Sequence, residues 1–348
     1  MKTYFYQDTN NADMKFVEDE FVNEVKKHNR NRLNGLMQFF LLGMFGTRFS
    51  MKYLMEYRYR RSFQASLQYL QELDADLIFN THFSTLYLSC VARSRGMIDS
   101  EIMTYCPDPI LGKQWDSRGD SFILSSAVGQ KKAQKQYKFK NRQIYNIPFL
   151  LRSEVKDFRK DKRYYRQCLG LPLNNFTIML ADGAYGAGKL ESTVCELMKS
   201  EQNLTIIAVC GKNEQLYRKF RNMKVPDHIH FAPFGFTDKT LMIAACCDLF
   251  MGKAGASSLA EPIYFGAPAI VTFLATKIEK WICANYLEGG CVVLQKNVQK
   301  AARMAEEFAR DPDLLKPYQK ACQKYATDKG PEILADMIWD RLQKYPTK

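Results

Sequence analysis

The chain has 348 residues, 46% apolar and 13% aromatic, so two buried cores are expected and disorder is not. The formal net charge of +13 predicts an anionic partner, which is a nucleic acid, a phosphorylated ligand or an anionic membrane. Ten cysteines without C-x-x-C pairs and four histidines argue against zinc and indicate free, buried thiols in a reducing cytosol.

The N-terminal region combines an apolar stretch with basic flanks. No apolar segment typical of a signal peptide is visible in residues 1–16; residues 4–6 resemble a strand and residues 16–27 an amphipathic helix. Residues 35–46 are strongly apolar but fall short of the roughly 20 residues that span a bilayer. The flanks predict a segment lying on an anionic membrane, with a buried core helix as the alternative. The proposed membrane-facing residues are Leu36, Phe39, Phe40, Leu41 and Phe45.

The rest of the first half alternates between helix and strand. Residues 53–73 are predicted to form one long helix with Phe63, Leu67 and Leu70 on one face. Helices are also expected over 85–95 and 130–140, and strands over 76–80, 101–105, 122–124 and 143–147. This alternation indicates a parallel α/β domain over residues 1–150.

A basic linker or first helix over residues 148–171 leads into a second domain, placed at 151–330, with a C-terminal helix at 331–348. Its predicted strands are 176–180, 204–210, 229–231, 249–251, 269–272 and 291–294, with helices between them. Six strands alternating with helices indicate a doubly wound domain.

Four small-residue turns follow strands of this domain, at the edge where open parallel sheets bind ligands. The first, residues 182–189, includes Gly183, Ala184 and Gly186, and its letters match G-x-x-x-x-G-K. Leu190 stands where an ATP-binding P-loop needs Ser or Thr, and tight packing is the alternative explanation. The next two are at Gly211 and at Gly235, where Phe236 can lie against a flat base or simply pack.

The fourth turn opens a helix near Ser257 or Ser258. Gly255 lets backbone N–H groups approach an anion, and Glu261 follows one turn later, where its carboxylate can accept hydrogen bonds from paired hydroxyls. Ser258 and Glu261 also have S-x-x-E spacing, so a capping box that binds nothing is the alternative.

Residues 234–271 resemble the nucleotide-sugar half of the monogalactosyldiacylglycerol synthases, the processive diacylglycerol glucosyltransferases and, more distantly, the lipid II-forming N-acetylglucosaminyltransferase. The shared motifs are G-F, K-A-G-x-x-x-x-A-E and G-x-P, and Cys210-Gly211 matches the family's C-G. Weaker similarity extends to residues 76–82, 104–126 and 146–148.

The resemblance implies two Rossmann-like domains facing a cleft (GT-B) and an inverting transfer from a UDP-sugar donor to a membrane lipid acceptor such as diacylglycerol. It implies a peripheral enzyme on the cytoplasmic face of the membrane that needs no metal or other cofactor. Glu261 would bind the ribose, Phe236 the uracil, and the turns at Gly183–Gly186 and Gly255–Ser258 the diphosphate. Lys253 belongs to the shared K-A-G motif, and Glu279 to a sugar-contacting G-Q-E motif in which Ile278 replaces glutamine.

Several family features are missing, which keeps a second hypothesis open. No counterpart of the G-G-G-H acceptor loop is found, so the first domain is expected to lack its first strand and that loop. Asp182 replaces a glycine near the expected phosphates, and His82 and Asp108 are the remaining candidates for a general base. His82 can instead be structural and Asp108 a turn former.

The second hypothesis is therefore a catalytically degenerate homologue that binds nucleotide or lipid, or partners another transferase. A third, nucleic-acid binding, rests on the net charge of +13 and the many tyrosines, and is not favoured because the positive charge clusters beside the apolar run.

Overall fold

The computed structural model describes residues 52–136, 139, 143–159, 161–183 and 188–344. The chain divides into two compact units. The first comprises Met1–Ile147 together with Glu332–Lys348, and the second comprises Pro148–Pro331. The strand expected at residues 4–6 and the apolar segment with Leu36, Phe39, Phe40, Leu41 and Phe45 lie outside the described residues.

The first unit contains a four-stranded parallel sheet in the order β1-β2-β3-β4. Its strands are β1 (Leu77–Asn80), β2 (Glu101–Cys106), β3 (Ser121–Leu124) and β4 (Gln143–Asn146), and its helices are α1 (Arg60–Leu73), α2 (Phe83–Ser94) and α3 (Ala127–Gln136). The four strands predicted among the described residues of this domain are confirmed. β2 and β3 are buried along their whole length, as expected of strands covered on both faces.

The long helix predicted over residues 53–73 is wrong in its first part. Residues Tyr53–Arg58 form a π-helical turn, Tyr59 leaves the helical conformation, and α1 begins only at Arg60. The rings of Tyr53 and Tyr57 stack with centroids 6.1 Å apart along this wider turn. The apolar face predicted for the remainder is confirmed, since Phe63, Leu67 and Leu70 are buried against α2.

The second unit contains a six-stranded parallel sheet in the order β10-β9-β8-β5-β6-β7. Its strands are β5 (Phe176–Ala181), β6 (Leu204–Val209), β7 (His230–Phe234), β8 (Leu249–Lys253), β9 (Ala269–Phe273) and β10 (Val292–Leu294). The strand order reverses between β5 and β8, which is the switch point of a doubly wound sheet. The predicted doubly wound domain is confirmed.

Helices cover both faces of this sheet. They are α4 (Lys162–Cys168), α5 (Leu190–Leu197), α6 (Glu214–Arg221), α7 (Thr240–Cys246), α8 (Ala256–Tyr264), α9 (Lys277–Glu288), α10 (Val298–Arg310) and α11 (Lys316–Cys322). Alternate residues of β5 enter opposite cores, with Met179 and Ala181 in one and Ile178 and Leu180 in the other. The apolar residues of both cores fix the sheet between its helices.

The last helix, α12 (Gly330–Leu342), is grouped mainly with the first unit. Arg341 explains part of this placement, because its guanidinium donates to Glu101 at 2.7 Å and to the Tyr145 hydroxyl at 2.9 Å. Glu101 is 9% exposed, so this ion pair ties the end of the helix to the beginning of β2.

All ten cysteines are free, and eight of them are buried, as predicted; Cys168 and Cys195 are exposed. Among the helices that the structure describes, none has both the length and the apolar character required to cross a bilayer.

Candidate functional site

The switch point of the second sheet brings two of the predicted turns side by side. β5 and β8 are neighbours, with Ala181 opposite Gly252, so Asp182 and Lys253 leave the sheet at the same edge. Gly183 follows β5, and Gly255 precedes α8. In open parallel sheets the crevice at this position is where ligands bind. The structure therefore brings Gly183, Lys253 and Gly255 together at one place.

A bulge at the end of β8 directs Lys253 toward this edge. The pairing of β8 with β9 shifts between Gly252 and Lys253, and Gly252 has a φ of 149°, which disfavours any side chain. A Cβ at this position would also overlap the Ala181 carbonyl oxygen of the neighbouring strand. Glycine is thus required both for the bulge and for the close approach of β5.

Lys253 is held by Glu279. Its Nζ lies 2.8 Å from Glu279 Oε1, and the Glu279 side chain is buried. The other carboxylate oxygen accepts the backbone N–H groups of Ala275 and Thr276, and the Thr276 hydroxyl accepts the N–H of Glu279, which completes a capping box at the start of α9. The sugar contact predicted for Glu279 stays a prediction; in the structure its carboxylate caps α9 and pairs with Lys253.

Asp182 is buried to 2% exposure directly beside Lys253. Backbone N–H groups lie near its carboxylate, but none of the described groups forms a well-aligned hydrogen bond with either oxygen. Burial raises the pKa of Asp182, and the backbone N–H groups of Leu190, Lys189 and Lys253 together with the Lys253 charge oppose that rise. The Asp182 carboxyl group thus lies at the start of α5.

Glu261 is buried on α8 and forms a bidentate ion pair with Arg152. Arg152 Nε donates to Oε1 and Nη2 to Oε2, each at 3.0 Å, and Nη2 also donates to the Thr240 hydroxyl at 3.0 Å. Burial raises the pKa of Glu261, while the Arg152 guanidinium opposes that rise. The carboxylate has about four acceptor positions, of which Arg152 uses two.

The capping-box alternative at Ser258 and Glu261 is not what the structure shows. α8 begins at Ala256 with Gly255 as its N-cap residue and no side-chain cap, and the Glu261 carboxylate contacts Arg152 instead. Ser257 is exposed and Ser258 half-buried in the first turn. The backbone N–H groups at the start of α8 are therefore without the side-chain acceptor that a capping box would give them.

The outer strands contribute an aromatic surface. Phe236 follows β7 and is 72% exposed, which is unusual for a phenylalanine that merely packs. The Lys212 ammonium, next to Gly211 at the end of β6, lies 5.2 Å from the centre of the Phe236 ring. An exposed ring with a cation beside it offers a flat surface suited to a nucleobase.

The predicted catalytic residues follow β1 and β2 of the first unit. His82 caps α2, with Nδ1 accepting the Ser84 N–H at 3.3 Å and lying 2.7 Å from the Ser84 hydroxyl, and desolvation lowers its pKa. Asp108 is half-buried, and desolvation raises its pKa to about 6. His82 has a structural role, whereas Asp108 has the pKa of a base that works near neutral pH.

Some predicted site residues lie outside the described residues, and two site residues were not predicted. Of the three positions predicted in the first glycine turn, Gly183 is described, whereas Ala184 and Gly186 are not. Arg152 was not predicted as part of the site, because 109 positions separate it from Glu261 and no local pattern signals the pair. Lys212 was also missed, although it directly follows the C-G motif. The described residues contain no cluster of three or more metal-ligating side chains.

Comparison with known sequences confirms the resemblance inferred from the motifs. Residues 177–307 match the sequence model of the glycosyltransferase family 28 C-terminal domain. The chain is 28% identical over 200 residues to a UDP-N-acetylglucosamine–N-acetylmuramyl-(pentapeptide) pyrophosphoryl-undecaprenol N-acetylglucosamine transferase of Acetivibrio thermocellus, covering 56% of this chain and 50% of the relative.

The names of two further relatives refer to diacylglycerol lipids. Monogalactosyldiacylglycerol synthase 1 of Arabidopsis thaliana is 26% identical over 47% of this chain and 32% of its own length. The processive diacylglycerol beta-glucosyltransferase of Bacillus licheniformis is 22% identical over 78% of this chain and 70% of its own. The first two relatives are thus matched over half of their length or less.

Solved structures confirm the fold class. MurG of Acinetobacter baumannii superposes with a TM-score of 0.59 at 12% identity, covering 80% of this chain and 78% of that one. Anabaena HepE in complex with UDP gives 0.55 at 14% identity, with 82% of each chain covered. Both units are therefore α/β domains of the kind found in GT-B glycosyltransferases, with the match to the family 28 domain in the second.

Proposed function

We propose that this chain, whose second unit matches the glycosyltransferase family 28 C-terminal domain, is an inverting transferase that moves a sugar from a UDP-sugar to a membrane lipid such as diacylglycerol. The observation that carries the proposal is Glu261, buried at the switch-point helix α8, with Phe236 exposed at the same edge of the sheet. An acidic group for ribose and a ring for the base are what a uridine nucleotide requires.

The donor would contact the site through its ribose, its base and its diphosphate. The ribose hydroxyls donate to the acceptor positions of Glu261 that Arg152 leaves open, and uracil lies against Phe236. The diphosphate accepts from backbone N–H groups at the start of α8, whose dipole favours negative charge, and from Lys253. These groups also stabilise the departing UDP, so the proposed reaction needs no metal or other cofactor.

The acceptor hydroxyl needs a base, and Asp108 fits this role better than His82. A carboxylate with a pKa of about 6 is largely ionised at pH 7.5 and is still basic enough to take a proton in the transition state. The His82 ring already caps α2. The basic N-terminal half would hold the protein on the cytoplasmic face of an anionic membrane, where its lipid acceptor is located.

The test is a transfer assay with the purified full chain. Radiolabelled UDP-glucose, UDP-galactose and UDP-N-acetylglucosamine are each incubated with vesicles of diacylglycerol and anionic phospholipid, and lipid-extractable label is counted. Transfer from at least one donor is expected, with Asp108→Asn inactive but still binding UDP. Asp99→Asn, an exposed aspartate of the same unit, is the matched control and should remain active.

A second candidate is nucleotide binding without transfer. The pairing of Lys253 with Glu279 favours it, because an ammonium that is already paired attracts a diphosphate less strongly. This candidate predicts UDP binding that depends on Glu261 but no label in lipid from any donor. Absence of both binding and transfer would refute the two candidates together.

A further inference from the structure

Asp182 is the feature of the site that the proposed function leaves unexplained. Its carboxylate is 98% buried, given an exposure of 2%, and none of the described residues hydrogen-bonds to either oxygen. An unpaired buried carboxylate is costly, so its position needs a cause. It lies at the switch point, immediately after β5, where a ligand of a doubly wound sheet would be.

The surroundings of Asp182 are those of an anion-binding site. A side chain at Gly188 would overlap Oδ2, and one at Gly252 would come within 3.2 Å of Oδ1, so the carboxylate fits between the beginning of α5 and the bulge of β8. The backbone N–H groups of Lys189 and Leu190, which open α5, lower the pKa of this carboxyl. α5 begins without a side-chain cap. The Asp182 carboxylate thus takes the place of a negatively charged group at the N-terminus of α5.

The charges next to Asp182 do not restore an attraction for phosphate. Lys253 on β8 faces both Asp182 and Gly183, but its ammonium is already paired with Glu279 of α9. Lys189 directs its ammonium to the Lys296 carbonyl oxygen instead. Two carboxyl groups therefore accompany one ammonium at the switch point, so Lys253 leaves no unpaired positive charge for a ligand.

We propose that Asp182 is a specificity-determining residue that occupies the anion position at the start of α5 and thereby weakens binding of the donor diphosphate. This inference rests on the proposed function, since it concerns the same uridine nucleotide. The open N-terminus of α8 remains the principal phosphate site. A ligand with less charge beside β5 is consequently favoured over a fully ionised diphosphate.

The test compares UDP binding to the wild type and three variants of the full chain by isothermal titration calorimetry. Asp182→Asn keeps the shape of the side chain and removes its charge, and Asp182→Ala is a second variant should asparagine fold poorly. Asp227→Asn is the matched control: Asp227 is exposed and precedes β7, at the opposite edge of the sheet. Removing a like charge next to the diphosphate should tighten UDP binding about tenfold or more.

The outcomes separate this inference from the proposed function. Asp182→Asn binding UDP about tenfold more tightly than the wild type and Asp227→Asn supports it. If both Asp182 variants fold and bind UDP no more tightly than the wild type, the inference is overturned and the proposed function still stands. If neither the wild type nor any variant binds UDP, the proposed function fails and takes this inference with it.

UDP binding by the wild type and by Asp182→Asn should also respond differently to pH. Acidification protonates Asp182 in the wild type but cannot change asparagine, whereas titration of UDP itself is common to both. The ratio of their UDP affinities should therefore approach one as the pH falls through the raised pKa of Asp182. A ratio that stays constant down to pH 3.8, the ordinary pKa of an aspartate, would mean that Asp182 acts through packing and not through its charge, and would overturn the inference.

Discussion

Replacing Glu261 by glutamine keeps the size of the side chain and removes the charge that is proposed to hold the ribose. In the wild type, Arg152 takes one acceptor position on each carboxylate oxygen, which leaves about two for the ribose hydroxyls. A hydrogen bond to a charged acceptor contributes about 1.5–3 kcal/mol, and the glutamine oxygen can still accept one weaker bond. The expected net loss is about 2 kcal/mol.

That loss corresponds to a roughly thirtyfold weaker Kd for UDP, well within the range of isothermal titration calorimetry. The stability of the variant should change little, because the Arg152 side chain is 42% exposed and remains hydrated without its partner; about 1 kcal/mol is the expected cost. Glu196→Gln, which removes a surface pair with Lys199 in the same unit, is the matched control and should bind UDP like the wild type.

Titration with 2′-deoxy-UDP identifies the contact that is lost. The wild type should prefer UDP over 2′-deoxy-UDP, and Glu261→Gln should lose most of this preference, because the group that accepts the 2′-hydroxyl has been weakened. If Glu261→Gln binds UDP within twofold of the wild type, or retains the full preference, Glu261 does not bind the ribose and the proposed orientation of the nucleotide is wrong.

Three further predictions concern pH and packing. Transfer activity should rise with pH through about 6 as Asp108 ionises, and a pH–rate profile with no inflection near that value would exclude Asp108 as the base. Gly252→Ala should lower the free energy of unfolding by roughly 2–4 kcal/mol in urea titrations, since its Cβ would meet the Ala181 carbonyl oxygen; an unchanged midpoint would contradict this. The pKa of Asp182 is raised above 3.8 in the folded state, so its ionisation destabilises the fold as the pH rises. Asp182→Asn should therefore raise Tm at pH 7 and have little effect near pH 4, whereas an equal effect at both would disprove a charge origin.

The sheet could be predicted from sequence because its determinants are local. Each strand is a short apolar run bounded by turn residues, and the ends of the strands in the second unit carry the glycines that pattern reading found. The spacing rule for a capping box does not hold at the S-x-x-E motif of α8, but it does hold at the T-x-x-E motif of α9, for which no cap was predicted. Ser258 and Glu261 do not form a cap because α8 already begins at Ala256, whereas Thr276 and Glu279 do.

The charge pairs of the site could not be predicted in this way. Arg152 and Glu261 are 109 positions apart, and Arg341 and Glu101 are 240 apart, so only the fold brings each pair together. Charged side chains in a basic chain have many potential partners of equal chemistry, and sequence spacing does not choose among them. Lys253 directly follows a bulge at Gly252, a break in the pairing of β8 with β9 that no local sequence pattern signals.

These pairs also determine how a ligand can enter the site. Glu261 has acceptor positions to spare, so the ribose can bind while Arg152 stays in place and the buried carboxylate keeps its cation. Glu279 is different, because it is 6% exposed and also caps α9; releasing Lys253 from it would leave that carboxylate buried without its cation. Lys253 should therefore stay paired with Glu279 and contact phosphate through its remaining N–H donors. Glu279→Gln removes the competing charge, so it should free Lys253 and strengthen UDP binding. A larger Kd for UDP in this variant would show instead that Glu279 orients Lys253 for the ligand.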